Sequence, residues 1–150
     1  MGKNQMQQSE SIANLAKALS IVQGKLTYAK KDSKNPFFKS NYADLESVWD
    51  ACRDLLASNG LAVSQFPGSY CEIDKSMSLT TVLLHESGEY ISQEMTLPVA
   101  KPDPHGCCAA VTYMRRVSLS AVTGIVQADD DGNTASNVVN KSVTKPIEME

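Results

Sequence analysis

A helical pattern over residues 103–124 restricts the fold of this chain more than any other stretch. Asp103 is a favourable N-cap, and Pro104 suits the first helical position because its missing N–H and fixed φ cost nothing there. Gly124 can end the helix. Between these ends, apolar residues recur at gaps of three and four, which indicates one buried face of a helix: they are Cys107, Ala110, Val111, Met114, Val117, Ala121 and Val122, with Ile125 beyond the end.

The opposite side of this predicted helix is polar and carries a pair of arginines. Thr112, Arg116 and Thr123 fall opposite the apolar face, and Arg115 falls on its shoulder. Guanidinium groups are planar and permanently charged, so they suit phosphate oxygens. From these residues alone, two interpretations remain open: a phosphate-binding surface or a solvated basic face.

Two further helices are predicted upstream. The first runs into Gly24 along a stripe that belongs to the core or to an interface: Ile12, Leu15, Ala16, Leu19 and Val22. The second spans about 42–58 and stops at Asn59 and Gly60. One side of it is apolar, and we expect that side, Trp49 included, to lie in the core: Leu45, Val48, Trp49, Cys52, Leu55 and Leu56.

Residues 61–100 change to the period of strands. The runs LAVSQFP, SYCEID, SMSLTTVLLHE and GEYISQEMTLPVA are separated by turn signals, and the last two form a predicted hairpin around Ser87 and Gly88. The expected fold is therefore α+β: an antiparallel β-meander of three to four strands packed against the central helix, with N-terminal helices and a disordered C-terminal tail.

The composition shows no overall excess of basic residues, so any nucleic-acid site must be confined to a small part of the surface. The 150 residues are 42% hydrophobic, enough for one domain over 1–126, and the pI is near 5.4. Residues 1–126 carry 12 basic and 12 acidic side chains, whereas the predicted acidic, flexible tail 127–150 carries 2 and 5. No apolar run of about 18 residues and no signal-peptide core is present, so we expect a cytoplasmic protein without membrane contact.

The segment 25–39 is a basic stripe with five lysines and one acid. Aromatic residues alternate with these lysines, as in surfaces that follow a phosphate chain and stack bases. Phe37 and Phe38 could instead anchor a loop to the core. The candidate contacts here are Lys25, Tyr28, Lys30, Lys31, Lys34, Phe37, Phe38 and Lys39.

No enzyme or cofactor site is expected. Cys52, Cys71, Cys107 and Cys108 lack metal-ligand spacing and are interpreted as reduced core residues. His85 has no nucleophile elbow around it and is interpreted as a turn residue, and there is no P-loop. Asp129, Asp130 and Asp131 could attract a divalent cation, but adjacent acids in a tail are more often solvated. No dedicated Mg²⁺ site is therefore expected.

Two blocks of the sequence, covering roughly 25–133, resemble the Erf family of phage single-strand annealing proteins. The first is KSNYADL over 39–45, which leads through Val48 and Leu56 to Gly60. The second is GCCAAVTYMRRVSLSAVTGIVQADDDGN over 106–133, although Val117 stands where an aromatic residue is usual and His105 where Gln is usual. Its signature positions are Gly106, Thr112, Tyr113, Arg115, Arg116, Gly124, Asp129, Asp130, Asp131, Gly132 and Asn133.

This resemblance implies a β-β-β-α core and ATP-independent annealing of complementary DNA strands in phage-type recombination. It also implies ring or helical homo-oligomers in the bacterial cytoplasm, with a phage exonuclease and a host single-strand binding protein as further partners. Single-stranded DNA and annealed duplex are the expected ligands, with Tyr113, Arg115 and Arg116 added to the candidate contacts. Two alternatives stay open: a passive oligomeric single-strand binder, and a metal-dependent nuclease using Asp103, Asp129, Asp130 and Asp131.

Overall fold

The computed structural model describes residues 5–29, 33–34 and 41–126, with the backbone alone at 33–34 and 41–42. The tail 127–150 therefore lies outside the described residues. The elements in chain order are β1 (Gln7–Gln8), α1 (Ala13–Lys25), β2 (Ser33–Lys34), β3 (Asn41–Tyr42), α2 (Leu45–Ser58), β4 (Leu61–Pro67), β5 (Ser76–His85), β6 (Tyr90–Pro98) and α3 (Pro104–Thr123).

An antiparallel sheet of four strands, ordered β1-β6-β5-β4, carries the three helices on one face. The α+β class and the meander of β4, β5 and β6 are confirmed. The run SYCEID is not a strand, because Cys71 bridges only to Ser76 and residues 72–75 turn between them. The fourth strand comes instead from the polar leader, where Gln7 and Gln8 pair with β6.

The central strand β5 sets the two faces of the sheet. Met77, Leu79, Thr81 and Leu83 are buried toward the helices, and the residues between them face outward. This alternation follows from the two-residue period of a strand. The predicted hairpin is confirmed, since β5 pairs with β6 from Ser76 with Pro98 to Leu84 with Tyr90.

The helix α3 begins and ends where its sequence predicts. The Asp103 side chain accepts a hydrogen bond of 2.7 Å from the Gly106 N–H, and Gly124 ends the helix in the left-handed region at φ 83°. Met114 is fully buried against the sheet side of the core. Thr123 is fully buried and Ala121 is exposed, and both differ from the sequence prediction.

Thr123 is fully buried at the end of α3, where the helix is bonded to α1. Its carbonyl accepts a hydrogen bond of 3.3 Å from Gln23 Nε2 on α1. Its hydroxyl donates to the Leu119 carbonyl at 2.7 Å, so no polar group is left unpaired by the burial. A single apolar stripe therefore underestimated the buried surface of this helix.

The helices α1 and α2 complete the core over the sheet. Of the predicted stripe on α1, Leu15 and Val22 are buried within the chain and Ile12 and Leu19 are half-buried, so most of it needs no partner to cover it. Ala16 is exposed, which the prediction had wrong, and Ala18 is buried in its place. Asp44 caps α2 by accepting a 2.8 Å hydrogen bond from the Ser47 N–H. None of the helices among the described residues is long and apolar enough to cross a membrane.

Candidate nucleic-acid interface

The predicted contacts fall into three groups in the structure. Tyr113, Arg115 and Arg116 lie in the middle of α3. Lys25 and Tyr28 lie at and just after the end of α1, where both are exposed. The remaining contacts, apart from the backbone of Lys34 in β2, are outside the described residues: Lys30, Lys31, Phe37, Phe38 and Lys39.

Tyr113 and Arg116 form a pair on the outer side of α3. The Arg116 guanidinium carbon lies 5.2 Å from the centre of the Tyr113 ring, within the range of a cation–π contact. The Tyr113 side chain is 50% exposed, so it does not pack beneath the helix. The pair holds a guanidinium beside an aromatic face, and both groups suit the phosphate and base of a DNA strand.

Arg115 is two positions after Tyr113 and one before Arg116. On a helix with 3.6 residues per turn it therefore faces a different side of α3 from this pair. It is exposed, whereas Arg116 is half-buried, so the greater exposure predicted for Arg116 is wrong. Arg115 lines an open cleft of about 590 Å³ between α2, β4 and α3. No ion pair or hydrogen bond of its guanidinium is found within the described part of the chain.

The segment that carries Lys25 and Tyr28 is bonded to the C-terminal end of α3. The Ala29 N–H donates to the Val126 carbonyl at 3.4 Å, and Gln23 reaches the Thr123 carbonyl. Thr123 is eight residues after Arg115, or about 12 Å along the helix axis at 1.5 Å per residue. The structure therefore joins the segment with Lys25 and Tyr28 to the end of α3, and it does not bring the two groups of contacts into one cluster.

The basic segment returns toward the start of α2. Ser33 pairs with Tyr42 and Lys34 with Asn41, so the β2 backbone runs antiparallel to β3. Asp44, the N-cap of α2, follows β3 directly, and the first turn of α2 lines the cleft that contains Arg115. The chain thus leads from the lysine-rich segment to the cleft within a few residues.

Trp49 was predicted to lie in the core, and this is wrong. The neighbouring positions Val48 and Cys52 are buried, but the Trp49 side chain is 36% exposed and lines the cleft with Arg115. The apolar stripe of α2 is wider than the surface that its partners cover, so the residue at its edge remains open. Sequence periodicity alone could not identify which edge that would be.

Gln65 is a second cleft residue that the sequence reasoning did not select. Its Nε2 group donates to the Thr81 hydroxyl and to the Arg115 carbonyl, both at 3.1 Å. A carbonyl oxygen can only accept, so these bonds determine which end of the amide is the nitrogen. The sequence had indicated only that Gln65 belongs to a strand.

Catalytic and metal-binding arrangements were also sought. No three side chains among His, Cys, Asp and Glu converge on a possible metal position in the described ranges. His85 Nδ1 lies 2.9 Å from the Ser87 hydroxyl, but the Glu89 carboxylate accepts from that hydroxyl rather than from the imidazole. This order of contacts differs from a catalytic triad, in which the acid holds the imidazole. The group braces the β5–β6 turn.

Comparison with known proteins yields one match. The sequence model described as the ERF superfamily matches residues 15–148, which include most of α1, all of α2, the meander and α3, and most of the tail. No curated protein and no solved structure matches the chain.

Proposed function

Since the chain belongs to the ERF superfamily, we propose that it binds single-stranded DNA and anneals complementary strands without ATP, in phage-type recombination. The observation that carries this proposal is the exposed arginine and aromatic surface of α3, where Arg115 opens onto a cleft and Arg116 lies against Tyr113. These residues lie in the segment that resembles the family signature.

The fixed position of α3 in the fold supports this proposal. Met114 and Leu119 are buried on either side of the arginine pair, and both helix ends are capped. The backbone that carries the cations is therefore fixed, so no backbone conformational entropy is lost when they bind phosphate.

Annealing requires no covalent step. A protein that neutralises phosphates lowers the repulsion between two strands, and one that stacks bases on aromatic rings keeps a strand extended. We therefore propose a binding protein and no enzyme, with no resident cofactor. Mg²⁺ would assist only by screening phosphates. The passive single-strand binder remains the alternative, because it would use the same surface.

The direct test measures annealing and binding together. Wild-type protein should accelerate pairing of two complementary oligonucleotides without ATP. Its single-strand affinity should fall with salt at a slope of about −0.7 per phosphate neutralised. The double variant Arg115→Gln with Arg116→Gln should bind more weakly, with a shallower slope.

Each alternative gives a different result in the same assay. Binding without faster pairing would indicate the passive binder, and shortening of the labelled strands in Mg²⁺ would indicate the nuclease. Absence of single-strand binding by folded wild-type protein would refute the proposal.

The partners follow from the same proposal. Each domain offers few contacts, so a long strand would be held by many copies in a ring or helical homo-oligomer. The ligands would be single-stranded DNA and the annealed duplex, in the cytoplasm of a bacterial host. A phage exonuclease would supply the single strands, and a host single-strand binding protein would deliver or compete for them.

A further inference from the structure

The cleft between α2, β4 and α3 has the composition of a ligand site. Its volume of about 590 Å³ lies within the ~300–1,000 Å³ typical of small-molecule sites. Val63 and Leu119 supply aliphatic surface, and three polar side chains line the cleft with Trp49. Apolar walls with a few polar groups are typical of sites that bind a flat, partly polar molecule.

Trp49 is the main recognition element of this cleft. It is the only tryptophan of the chain, and the protein leaves its ring partly open. Exposure of so large an aromatic surface is costly in water, because burying apolar area is favourable. Every nucleobase has a flat face that can cover it, so stacking is the interaction that this ring offers.

The charges of the cleft favour an uncharged ring over an anion in its interior. Glu46 and Arg115 line the same cleft and carry opposite charges. A phosphate among the walls would meet the Glu46 carboxylate, whereas a phosphate at the exposed Arg115 would meet a guanidinium that has no bond within the described residues. A base inside with its phosphate at Arg115 satisfies both charges.

Gln65 provides the polar edge for such a base. Its nitrogen is occupied by Thr81 and the Arg115 carbonyl, so its oxygen is the end that can accept a further bond. Amino and imino groups of bases are donors that this oxygen and the Glu46 carboxylate can accept. The acceptors therefore complement the edge of a base whose face lies on Trp49.

We propose that this cleft binds one nucleobase of single-stranded DNA, turned out of its strand, with the ring stacked on Trp49 and its phosphate at Arg115. This inference rests on the proposed function and specifies its site. A base in the cleft is withheld from pairing, and a paired base cannot enter without leaving its duplex. The cleft thus takes a base of a single strand only, and the annealed duplex would be held outside it.

The single tryptophan permits a direct test. Unlabelled single-stranded DNA should quench Trp49 emission in parallel with the binding curve of a dye-labelled strand followed by anisotropy. The matching duplex should leave emission nearly unchanged. Trp49→Ala should weaken single-strand binding about tenfold, from the usual strength of one base stack. Trp49→Phe retains an aromatic face and should bind within about threefold of wild type.

Three results would overturn the proposal while leaving the annealing function intact. The first is DNA binding by anisotropy with unchanged Trp49 emission. The second is wild-type affinity in a Trp49→Ala variant whose circular dichroism shows native helix content. The third is emission that changes with protein concentration alone, which would make the cleft an interface between copies. If wild-type protein binds no DNA, the annealing function fails and this proposal fails with it.

Discussion

Gly106 is the residue of α3 with the least space for a side chain. A Cβ atom there would lie 2.1 Å from the Lys101 carbonyl oxygen and 3.1 Å from Asp103 Oδ1. Both neighbours belong to the chain that enters the helix, so neither can move without displacing the N-cap. Gly106→Ala should therefore lower the free energy of unfolding by about 1–3 kcal/mol, measured by urea denaturation.

Gly24 provides the matched control for that substitution. It lies within α1, and a Cβ atom there would meet nothing within 4 Å. Because Ala is the better helix former, Gly24→Ala should leave the protein unchanged or stabilise it by up to about 1 kcal/mol. Equal stability of both variants would contradict the close approach at Gly106.

The four cysteines differ in their environments. Burial raises the pKa of the Cys52 thiol to about 11, despite a hydrogen bond to the backbone. Cys108 is exposed on α3, so the prediction that all four are core residues is wrong for it. At pH 8 only about one Cys52 thiol in a thousand would be ionised, and the thiolate is the reactive form.

We therefore expect a thiol reagent at pH 8 to label Cys108 rapidly and Cys52 only when the protein unfolds. Peptide mass spectrometry after timed labelling separates the two sites. Addition of denaturant is the control, since it should expose Cys52. Rapid labelling of Cys52 in the folded protein would mean that α2 opens locally.

At the scale of elements, α1 is capped by a residue from another part of the chain. Its N-cap residue, Ile12, offers no side-chain hydrogen bond. Glu89, after the β5–β6 turn, accepts a 3.2 Å bond from the Asn14 N–H and a 2.5 Å bond from the Ser87 hydroxyl. A carboxylate at a helix N-terminus is also favoured by the helix dipole.

These bonds give the stability of the protein a pH dependence. The hydrogen bond from Ser87, and those from Asn14, hold the pKa of the Glu89 carboxyl below its ordinary value of 4.5. The stability that the Glu89 carboxylate adds is therefore fully present above its ordinary pKa. It is lost as the pH falls through the lower pKa of the folded state. Glu89→Gln should be less stable at neutral pH and lose less stability on acidification.

Thermal unfolding from pH 7 to pH 3 measures this effect. The exposed Glu94 on the opposite face of the sheet is the control, and Glu94→Gln should be as stable as wild type at neutral pH. If Glu89→Gln loses stability with acid as steeply as wild type, the carboxylate does not hold α1 in the manner described.

Two adjacent residues of α3 are expected to affect different properties: Met114 the stability of the protein and Arg115 the binding of DNA. Met114 is fully buried, and Met114→Ala should cost about 2–5 kcal/mol through the cavity it leaves. Arg115 is exposed, so Arg115→Ala should change stability by only about ±0.5 kcal/mol while weakening single-strand binding. Chemical denaturation and anisotropy on both variants test the contrast. An Arg115→Ala variant that binds like wild type would place the DNA elsewhere.

At the scale of the whole molecule, the strand β4 is an open edge. It occupies one end of the strand order, and its seven residues LAVSQFP carry no charge. Uncharged edge strands can pair with another chain. The buried α1 stripe no longer argues for an oligomer, whereas this edge does.

We expect light scattering to give a mass at least twice that of the 16.2 kDa chain. Ala62→Lys would place a charge at an exposed position near the start of β4 and should reduce that mass. A substitution remote from this edge, Glu94→Gln, should not. A wild-type monomer at micromolar concentration would contradict the expectation, and an unchanged mass for Ala62→Lys would assign assembly to another surface.

The order and type of the main elements were predictable from the sequence because they depend on local patterns. Asp103, Pro104 and Gly124 are capping residues whose effect is complete within one helical turn, and the alternation along β5 follows from its own two-residue period. The arginines and Tyr113 were selected from the same local pattern and from the family signature. That pattern did not give their exposure, because Arg116, predicted opposite the apolar face, is half-buried and Arg115, predicted on its shoulder, is exposed.

Tertiary structure decided which apolar and polar residues remain open. Thr123 is buried where Gln23 of α1 bonds to the end of α3, and Trp49 is partly open because none of the described elements covers that edge of α2. Gln65 joins the cleft through a bond to a residue 50 positions away. The leader became a strand by pairing with β6. Each outcome depends on contacts between distant segments, whereas periodicity reports only what a segment prefers by itself.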